Sequence, residues 1–431
     1  MAVLLVVLAV SLAFVAGGCK AKSSAASDKP FAGQTLRYVS ANQPCMDNTV
    51  QKRAGEFEAL TGAKVTMEIM DTDQYTNKVM VELAAKTKTL DVICLRPLND
   101  LKLFYRNGWL TDLTSQFNND KDFDMADYFE GAVQSCMYEG KLVCIPAVAE
   151  SQLMYYRKDI FEQRGLKVPE TLDEMLSTAK ALTNKANDFY GFVGRGRVNA
   201  CVTQFSTYLY SFGGTFNNAT QSLIATPAAM AAYKFYGTLL GEYGPPGAIN
   251  MTWPEAAAVF AQGKAAMFTD SDAIYQNVVS AENSVVTGKV GFAVMPAGPA
   301  GRKPFYAIAY GLSVPAFSER KELAAAFIKW ALSKEMDLLM AQEVKNPGCR
   351  KSTWANPTAT SEWPADLLVT MTASRNVAVA GDRPTVINVV QARDIISVPI
   401  QEAISGRDPT AAAQKAHIEF QALIDKENSG N

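Results

Sequence analysis

A cysteine near the N-terminus lies in a sequence context that indicates a defined chemical modification. Residues 1–16 are uncharged and mostly apolar, two glycines follow, and Cys19 is succeeded by the polar stretch 20–29. This order is typical of a bacterial lipoprotein signal, in which the thiol takes a lipid and the segment before it is removed. The apolar run is shorter than the ~20 residues that a spanning helix needs, so it is interpreted as a targeting segment. We therefore expect a signal peptide over 1–18 and a lipid-anchored protein in the cell envelope, outside the cytoplasm (in the periplasm or on the outer face of the cell membrane). The alternatives are a plain secretory signal and a mis-assigned start codon.

The other cysteines and the histidine content limit the redox and metal chemistry. Six further cysteines are present: Cys45, Cys94, Cys136, Cys144, Cys201 and Cys349. Cys136 and Cys144 flank a predicted hairpin turn and can face each other across two strands, but the spacing alone does not establish a disulfide. No cysteine pair has zinc-finger spacing, and His417 is the single histidine. We therefore expect no metal site, no cofactor and no histidine-based catalysis.

Carboxylates are the remaining source of catalytic chemistry. The chain has 43 Asp and Glu residues, so counting does not exclude a glycosidase-like pair of carboxylates. No G-x-S-x-G, H-E-x-x-H or P-loop signature accompanies them. The formal net charge of −2 gives no basic footprint for nucleic acid, which is not an expected partner. A secreted carbohydrate-active enzyme stays open as an alternative at this point.

The periodicity of the chain after the N-terminal segment predicts an α/β protein. Apolar patterns at 36–40, 65–69 and 90–95 predict strands, and apolar residues recur at helical spacing between them. Strands that alternate with helices favour a mostly parallel sheet with helices on its faces. Thr171 and Glu174 have the spacing of a capping box at the start of a later helix. The ~410 residues after the signal exceed what one core can hold, which predicts two lobes.

A series of short motifs in a fixed order carries a family resemblance. They are FEALTGAKV at 57–65, LDVI at 90–93, GKLVCIP at 140–146, YYRKDIF at 155–161, GLKVPET at 165–171, GKAAM at 263–267, PAGP at 296–299, GLSVP at 311–315 and AAFIKWA at 325–331. Their order resembles that of the extracellular solute-binding proteins of ABC importers, in the large group that binds sugars. Further segments resemble the binders of sugar alcohols such as sorbitol and mannitol: Glu150-Ser151, 190–196, 243–248 and 347–350.

The resemblance implies the architecture and the function. We expect an α/β fold of two lobes that are joined by a multi-segment hinge, with a ligand cleft between them. Lobe one is expected to take 34–147 and 304–345, and lobe two 148–303 and 346–431, after a flexible tether over 19–33. The implied function is a monomeric substrate-binding lipoprotein that captures a carbohydrate or sugar alcohol and delivers it to the membrane subunits of an ABC permease. A ligand-sensing subunit that docks a receptor shares this fold and stays open as a second alternative.

The same resemblance implies a set of ligand-binding residues. A polyhydroxylated ligand needs planar charged hydrogen-bonding partners and aromatic faces that cover its C–H surface. Glu150 is the expected acceptor and Arg195 and Arg350 the expected donors, with Glu150 and Arg195 as the main specificity pair. The other candidates are Asp270 and Asp272 on a polar loop, Trp253 and Tyr310 as aromatic platforms, and Asn42 and Gln43 after the first strand.

Each candidate also has a purely structural interpretation. Glu150 and Arg195 can form a surface ion pair, which contributes little to stability. Asp270 or Ser271 can cap a short helix that begins near residue 273. Trp253 and Tyr310 can be ordinary core aromatics.

Overall fold

The computed structural model describes residues 29–279, 282, 284–346 and 348–429. The predicted signal peptide and Cys19 lie outside these residues. The strands are β1 (Thr35–Ala41), β2 (Lys64–Met70), β3 (Val92–Leu95), β4 (Met137–Tyr138), β5 (Lys141–Leu142), β6 (Ile145–Arg157), β7 (Tyr190–Val193), β8 (Ala265–Ser271), β9 (Val290–Ala293), β10 (Phe305–Ser313) and β11 (Val379–Ala380).

Helices separate most of these strands. They are α1 (Ala54–Thr61), α2 (Thr72–Ala84), α3 (Pro97–Arg106), α4 (Thr114–Asn118), α5 (Glu130–Ser135), α6 (Lys158–Arg164), α7 (Leu172–Leu182), α8 (Ala200–Ser211), α9 (Pro227–Tyr243), α10 (Trp253–Ala261), α11 (Tyr275–Val279), α12 (Lys321–Ala331), α13 (Lys334–Val344), α14 (Lys351–Ala355), α15 (Ala365–Val377), α16 (Val389–Ile404) and α17 (Thr410–Asn428).

The first three strands form where the sequence predicts them. β1 lies between β2 and β3 and runs parallel to both. The expectation of a mostly parallel sheet is wrong, because the sheet is mixed: β7 is parallel to β8, whereas β10 joins β3 and β6 joins β10 in antiparallel pairs. Such pairs need no helical crossover between neighbouring strands, so the local alternation of strands and helices did not reveal them.

One long strand connects the two halves of the sheet. The strand order is β2-β1-β3-β10-β6-β8-β7, with β9 beside β6 and β11 beside β10. The first part of β6, from Ile145 to Ser151, pairs with β10, and the part from Gln152 onward pairs with β8 and β9. β6 therefore crosses from one half of the molecule to the other between Ser151 and Gln152.

Three buried apolar clusters divide the molecule into two lobes. The first contains residues between Leu36 and Ala149 and between Ile308 and Cys349, together with Ala273. We call the part around this cluster lobe one. The second cluster is drawn mainly from residues between Met154 and Ile424, and the third packs around Phe268 and Phe292. We call the part around these two clusters lobe two.

Local signals in the sequence are realised in both lobes. Thr171 and Glu174 form the predicted capping box at the start of α7, and α1 ends on Gly62 in the left-handed conformation that glycine favours. The six described cysteines are all buried and unpaired. Among the helices that the structure describes, none combines the length and the apolar character needed to cross a membrane.

Candidate ligand-binding site

Glu150 lies where the crossing strand passes between the lobes. It pairs with Ala307 of β10, and two residues later Gln152 is already paired with Ser271 of β8. Its side chain lines a small inner cavity of about 60 Å³. Only 9% of the residue is exposed. The strand that joins the lobes therefore presents a carboxyl group to the space between them.

The inner cavity brings together six of the nine predicted ligand residues. They are Asn42, Gln43, Glu150, Arg195, Trp253 and Tyr310. The cavity continues into a wider cleft of about 630 Å³, which shares Asn42, Arg195, Trp253 and Tyr310 as lining residues. Gln43 also has a local structural role, because its Oε1 accepts hydrogen bonds from the backbone N–H of Cys45 and Met46.

Two cavity arginines are each held by a buried aspartate in a two-pronged ion pair. Arg195 follows β7 and donates from Nε to Oδ2 of Asp270 at 2.8 Å and from Nη2 to Oδ1. Arg96 directly precedes α3 and donates to Asp100 from Nε at 2.9 Å and from Nη2 at 2.8 Å. Such pairs fix a guanidinium in position. In both arginines Nη1 has no hydrogen-bond partner among the described residues and stays available to a ligand.

A third arginine enters the inner cavity from the segment between β11 and α16. Nη2 of Arg383 is 3.3 Å from Oδ2 of Asp382, and the Arg383 side chain is 11% exposed. Arg383 lines both the inner cavity and the wider cleft. The wider cleft is also lined by Arg393 of α16, which donates to Asn99 Oδ1 in lobe one at 3.1 Å and to Thr203 Oγ1 in lobe two at 3.1 Å.

The environment of Glu150 favours its neutral form. Burial, and next the charge of Asp382, raise the pKa of Glu150 to about 7. The cationic Arg195 and Arg383 oppose this shift, since they favour the carboxylate. Glu150 has no salt-bridge partner among the described residues, so no ion pair competes with a ligand for its carboxyl group.

Two aromatic side chains complete the cavity wall. Trp253 is the first residue of α10 in lobe two, and Tyr310 lies on β10 in lobe one, at an irregularity in its pairing with β6. Both are partly buried and line the inner cavity. The ligand space is therefore flanked by one aromatic residue from each lobe.

Three predicted ligand residues lie outside the cavity, and the alternative of an ion pair between Glu150 and Arg195 is not realised. Arg195 pairs with Asp270 and not with Glu150, so Asp270 supports the site from behind. Asp272 accepts from the backbone N–H of Ser151 at 2.9 Å and lies 3.6 Å from Arg375. Ser271, and not an aspartate, caps the short helix that follows.

Arg350 is not at the ligand site, contrary to the prediction. Its guanidinium is fully buried within lobe one and donates to the carbonyl oxygens of Leu332 and Phe123. Its Cζ also lies close to the rings of Phe123 and Tyr128, at 4.7 and 4.3 Å from their centroids. The expectation that it donates to a ligand is wrong for this position, because its donors are engaged by the protein.

Arg96 and Arg383 are the cavity residues that the sequence reasoning missed. Arg96 follows β3, and the carboxyl ends of parallel strands are the edge at which ligands bind in open α/β sheets, so this signal was present. Arg383 lies in an irregular segment with no pattern that predicts its position.

The comparisons with known proteins agree with this geometry. The sequence profile of the bacterial extracellular solute-binding protein family matches residues 44–337. The chain belongs to this family. A mannitol-binding protein of Pseudomonas aeruginosa is 27% identical over 296 residues, which cover 67% of each chain.

Two solved solute-binding proteins extend the similarity over nearly the whole chain. One from Agrobacterium radiobacter, in complex with ribitol, is 30% identical, with a TM-score of 0.84 over 92% of this chain and 100% of that one. One from Agrobacterium vitis, with bound D-mannitol, is 26% identical, with a TM-score of 0.79 over 92% and 99%. The predicted family and two-lobed fold are confirmed. This solute-binding protein is thus the capture component of an ABC importer and works in the cell envelope.

Proposed function

We propose that this solute-binding protein captures a neutral, acyclic sugar alcohol in the inner cavity. The observation that carries the proposal is the balance of charge around that cavity. Three arginines line the inner cavity, and each is paired with a buried aspartate: Arg96 with Asp100, Arg195 with Asp270, and Arg383 with Asp382. A ligand with its own charge would upset this balance in a region of low dielectric constant.

The free hydrogen-bonding groups suit hydroxyls. Nη1 of Arg96 and of Arg195 are free to donate, and the carboxyl group of Glu150 can accept. A hydroxyl both donates and accepts, so a chain of neighbouring hydroxyls can engage both kinds of group in turn. The partly buried faces of Trp253 and Tyr310 are suited to covering the C–H surface of such a ligand.

The relatives support the same ligand class. The solved proteins with the similarities given above hold ribitol and D-mannitol, and the Pseudomonas relative is named a mannitol-binding protein. These ligands are neutral, as the charge balance of the cavity favours, and they are acyclic. The neutral character of the proposed ligand therefore rests on this chain's own residues, and its acyclic form is supported by the relatives.

Calorimetric titration with matched ligands tests the proposal. We expect ribitol or D-mannitol to bind at least about tenfold more tightly than D-ribonate, the carboxylate analogue of ribitol, because the anion adds an uncompensated charge. Glu150→Gln is expected to weaken binding, whereas Glu322→Gln on the exposed face of α12 is the control. Tighter binding of D-ribonate, or no binding of any alditol, would contradict the proposal.

We also propose that the protein is a monomer held at the membrane by a lipid on Cys19. The sequence around Cys19 supports the lipid anchor, since a small-residue pair and a polar tether flank the cysteine. Intact mass of the membrane-extracted protein is expected to show a diacyl adduct, and Cys19→Ser is expected to release the protein into the soluble fraction. Light scattering of the released protein should give the mass of one chain. A wild-type protein without an adduct would exclude the lipid anchor.

A further inference from the structure

The loop after β11 is fixed beside the inner cavity. The backbone N–H of Gly381 donates to the carbonyl oxygen of Tyr306 on β10 at 2.8 Å, and Gly381 has a φ of 84°. This left-handed conformation favours glycine and turns the chain toward the cleft. Asp382 and Arg383 follow directly. Both lie outside the part of the chain that the family profile matches, residues 44–337, so that comparison assigns them no role.

Arg383 has buried donors that no described residue satisfies. Its Nε and Nη1 are inaccessible to solvent and have no hydrogen-bond partner among the described residues. The two carboxylate oxygens of Asp382 are in the same condition, apart from the ion-pair contact at 3.3 Å between the two side chains. Buried charged groups without partners are rare, because each one carries the full cost of its desolvation. A partner that is absent from the protein itself is therefore indicated.

The position of Arg383 indicates that the missing hydrogen-bond partner is a ligand in the inner cavity. Arg383 lines the inner cavity together with Glu150 and Arg195, whereas Asp382 does not line it. In Arg96 and Arg195 the aspartate engages Nε as well as Nη2, but Asp382 leaves Nε of Arg383 free. Arg383 thus lines the cavity with two guanidinium nitrogens, Nε and Nη1, that have no partner among the described residues, against one such nitrogen in each of the other two arginines.

We propose that Arg383 is the specificity-determining ligand residue of the cleft and that Asp382 positions it. The proposal rests on the proposed function, since the partner is a hydroxyl-bearing ligand in the inner cavity. Nε and Nη1 lie on different edges of the planar guanidinium, so they address two hydroxyls in a fixed relation. A ligand with one of these hydroxyls inverted leaves a buried charged donor unpaired, and sites of this kind reject such analogues strongly.

A paired substitution separates this role from a structural one. Arg383→Met alone would leave the carboxylate of Asp382 buried without a counter-charge, so the main variant is Asp382→Asn with Arg383→Met. Calorimetric titration uses ribitol, its epimer xylitol, and D-mannitol. We expect the affinity for the best of these to fall by at least about 30-fold, and the ratio of affinities for ribitol and xylitol to approach one.

The ligand-free melting temperature is the second measurement. Replacing a buried ion pair whole by neutral side chains is often neutral or stabilising, so the ligand-free double variant is expected to melt at or above the wild-type temperature. Arg383→Lys keeps the positive charge but removes the planar set of guanidinium donors, so we expect a loss of affinity of at least about tenfold. This single variant serves as the test if the double variant does not fold. Arg302→Met, at a partly exposed arginine 3.7 Å from the exposed Glu170, is the matched control and should bind like the wild type.

The outcomes are distinguishable. If the wild type binds an alditol and the paired variant, or Arg383→Lys in its place, binds within about threefold with unchanged selectivity, the specificity role of Arg383 is wrong while the proposed function stands. A paired variant that melts lower and binds normally would show a structural pair and overturn the inference. If the wild type binds none of the alditols, the proposed function fails and this inference fails with it.

Discussion

The arginine site inside lobe one and the arginines of the cleft differ in how their donors are engaged. Every guanidinium nitrogen of Arg350 donates within the protein, to carbonyl oxygens and to Asp127. In the cleft, Nη1 of Arg195 has no partner among the described residues, and neither do Nε and Nη1 of Arg383. Burial alone does not separate a structural arginine from a ligand-binding one. The engagement of its donors does, because a ligand can use only hydrogen-bonding groups that the fold leaves free.

The largest expected effect tests the structural side of this comparison. Arg350→Ala leaves several buried carbonyl oxygens and Asp127 without their donor, so we expect the free energy of unfolding to fall by about 3–5 kcal/mol. Urea denaturation measures the loss, and Arg407→Ala, at an exposed ion pair, should stay within about 0.5 kcal/mol of the wild type. The folded fraction of Arg350→Ala should bind ligand with unchanged affinity. A selective loss of affinity with wild-type stability would return Arg350 to the ligand site.

The next largest effect tests the cleft side. Arg195→Gln combined with Asp270→Asn removes the ion pair as a unit and keeps the buried region neutral. Because the ligand loses a charged donor, we expect binding to weaken by about 2–4 kcal/mol, with a much smaller change in the free energy of unfolding. Titration calorimetry and urea denaturation of the same preparation measure the two quantities. An affinity within about twofold of the wild type would assign this pair to structure as well.

The ionisation of Glu150 gives a pH-dependent version of the same test. Its pKa is raised to about 7 in the folded protein, against an ordinary value of 4.5. Between these values the folded state binds more protons than the unfolded state, so the free energy of unfolding falls as the pH rises from about 4.5 to 7 and then levels off. The loss is at most roughly 3.5 kcal/mol. Ligand hydroxyls that donate to the carboxylate favour ionisation, so affinity should rise over the same interval.

Glu150→Gln isolates this contribution. Asp47, Asp272 and Asp337 also have raised pKa values, about 6, and add slopes of the same sign. The difference between the wild type and the variant cancels these contributions, so the variant should be the more stable protein at pH 8 and about equal at pH 4. Urea denaturation at a series of pH values gives the stability, and titration with ribitol gives the affinity. Parallel pH profiles for the two proteins would contradict the free, cavity-facing carboxyl group.

The comparison also explains what the sequence could predict. β1 to β3 and the capping box at Thr171 depend on residues close together in the chain, so local patterns predict them. Glu150 and Arg195 were reached through motif resemblance, which carries position but not hydrogen-bonding partners. Whether a guanidinium has free donors depends on distant residues: Arg350 is engaged by residues near 123–127 and by Leu332. For the same reason Arg383 could not be predicted, since its cavity is built from segments far away in the sequence.

The smallest expected effect on affinity concerns a hydrogen bond of Arg393 that joins the two lobes across the cleft. Nη1 of Arg393 in lobe two donates to Asn99 Oδ1 in lobe one, while its Nε and Nη2 donate to the backbone oxygen of Asn199 within lobe two. This contact exists only when the lobes are close together, so it stabilises the closed arrangement and not either lobe. Asn99→Ala should therefore weaken ribitol binding by about 1 kcal/mol. The variant should keep the wild-type melting temperature without ligand.

Small-angle scattering completes this test. Solute-binding proteins close by hinge motion, so we expect the radius of gyration to fall on saturation with ribitol in the wild type and, at a higher ligand concentration, in Asn99→Ala. Asp73→Asn, which removes the exposed ion pair between Asp73 and Arg197, is the matched control because exposed pairs contribute at most about 1 kcal/mol and often nothing measurable. If Asn99→Ala lowers the ligand-free melting temperature as much as it lowers affinity, the contact belongs to folding stability. Arg393 would then group with Arg350 and not with the arginines of the cleft.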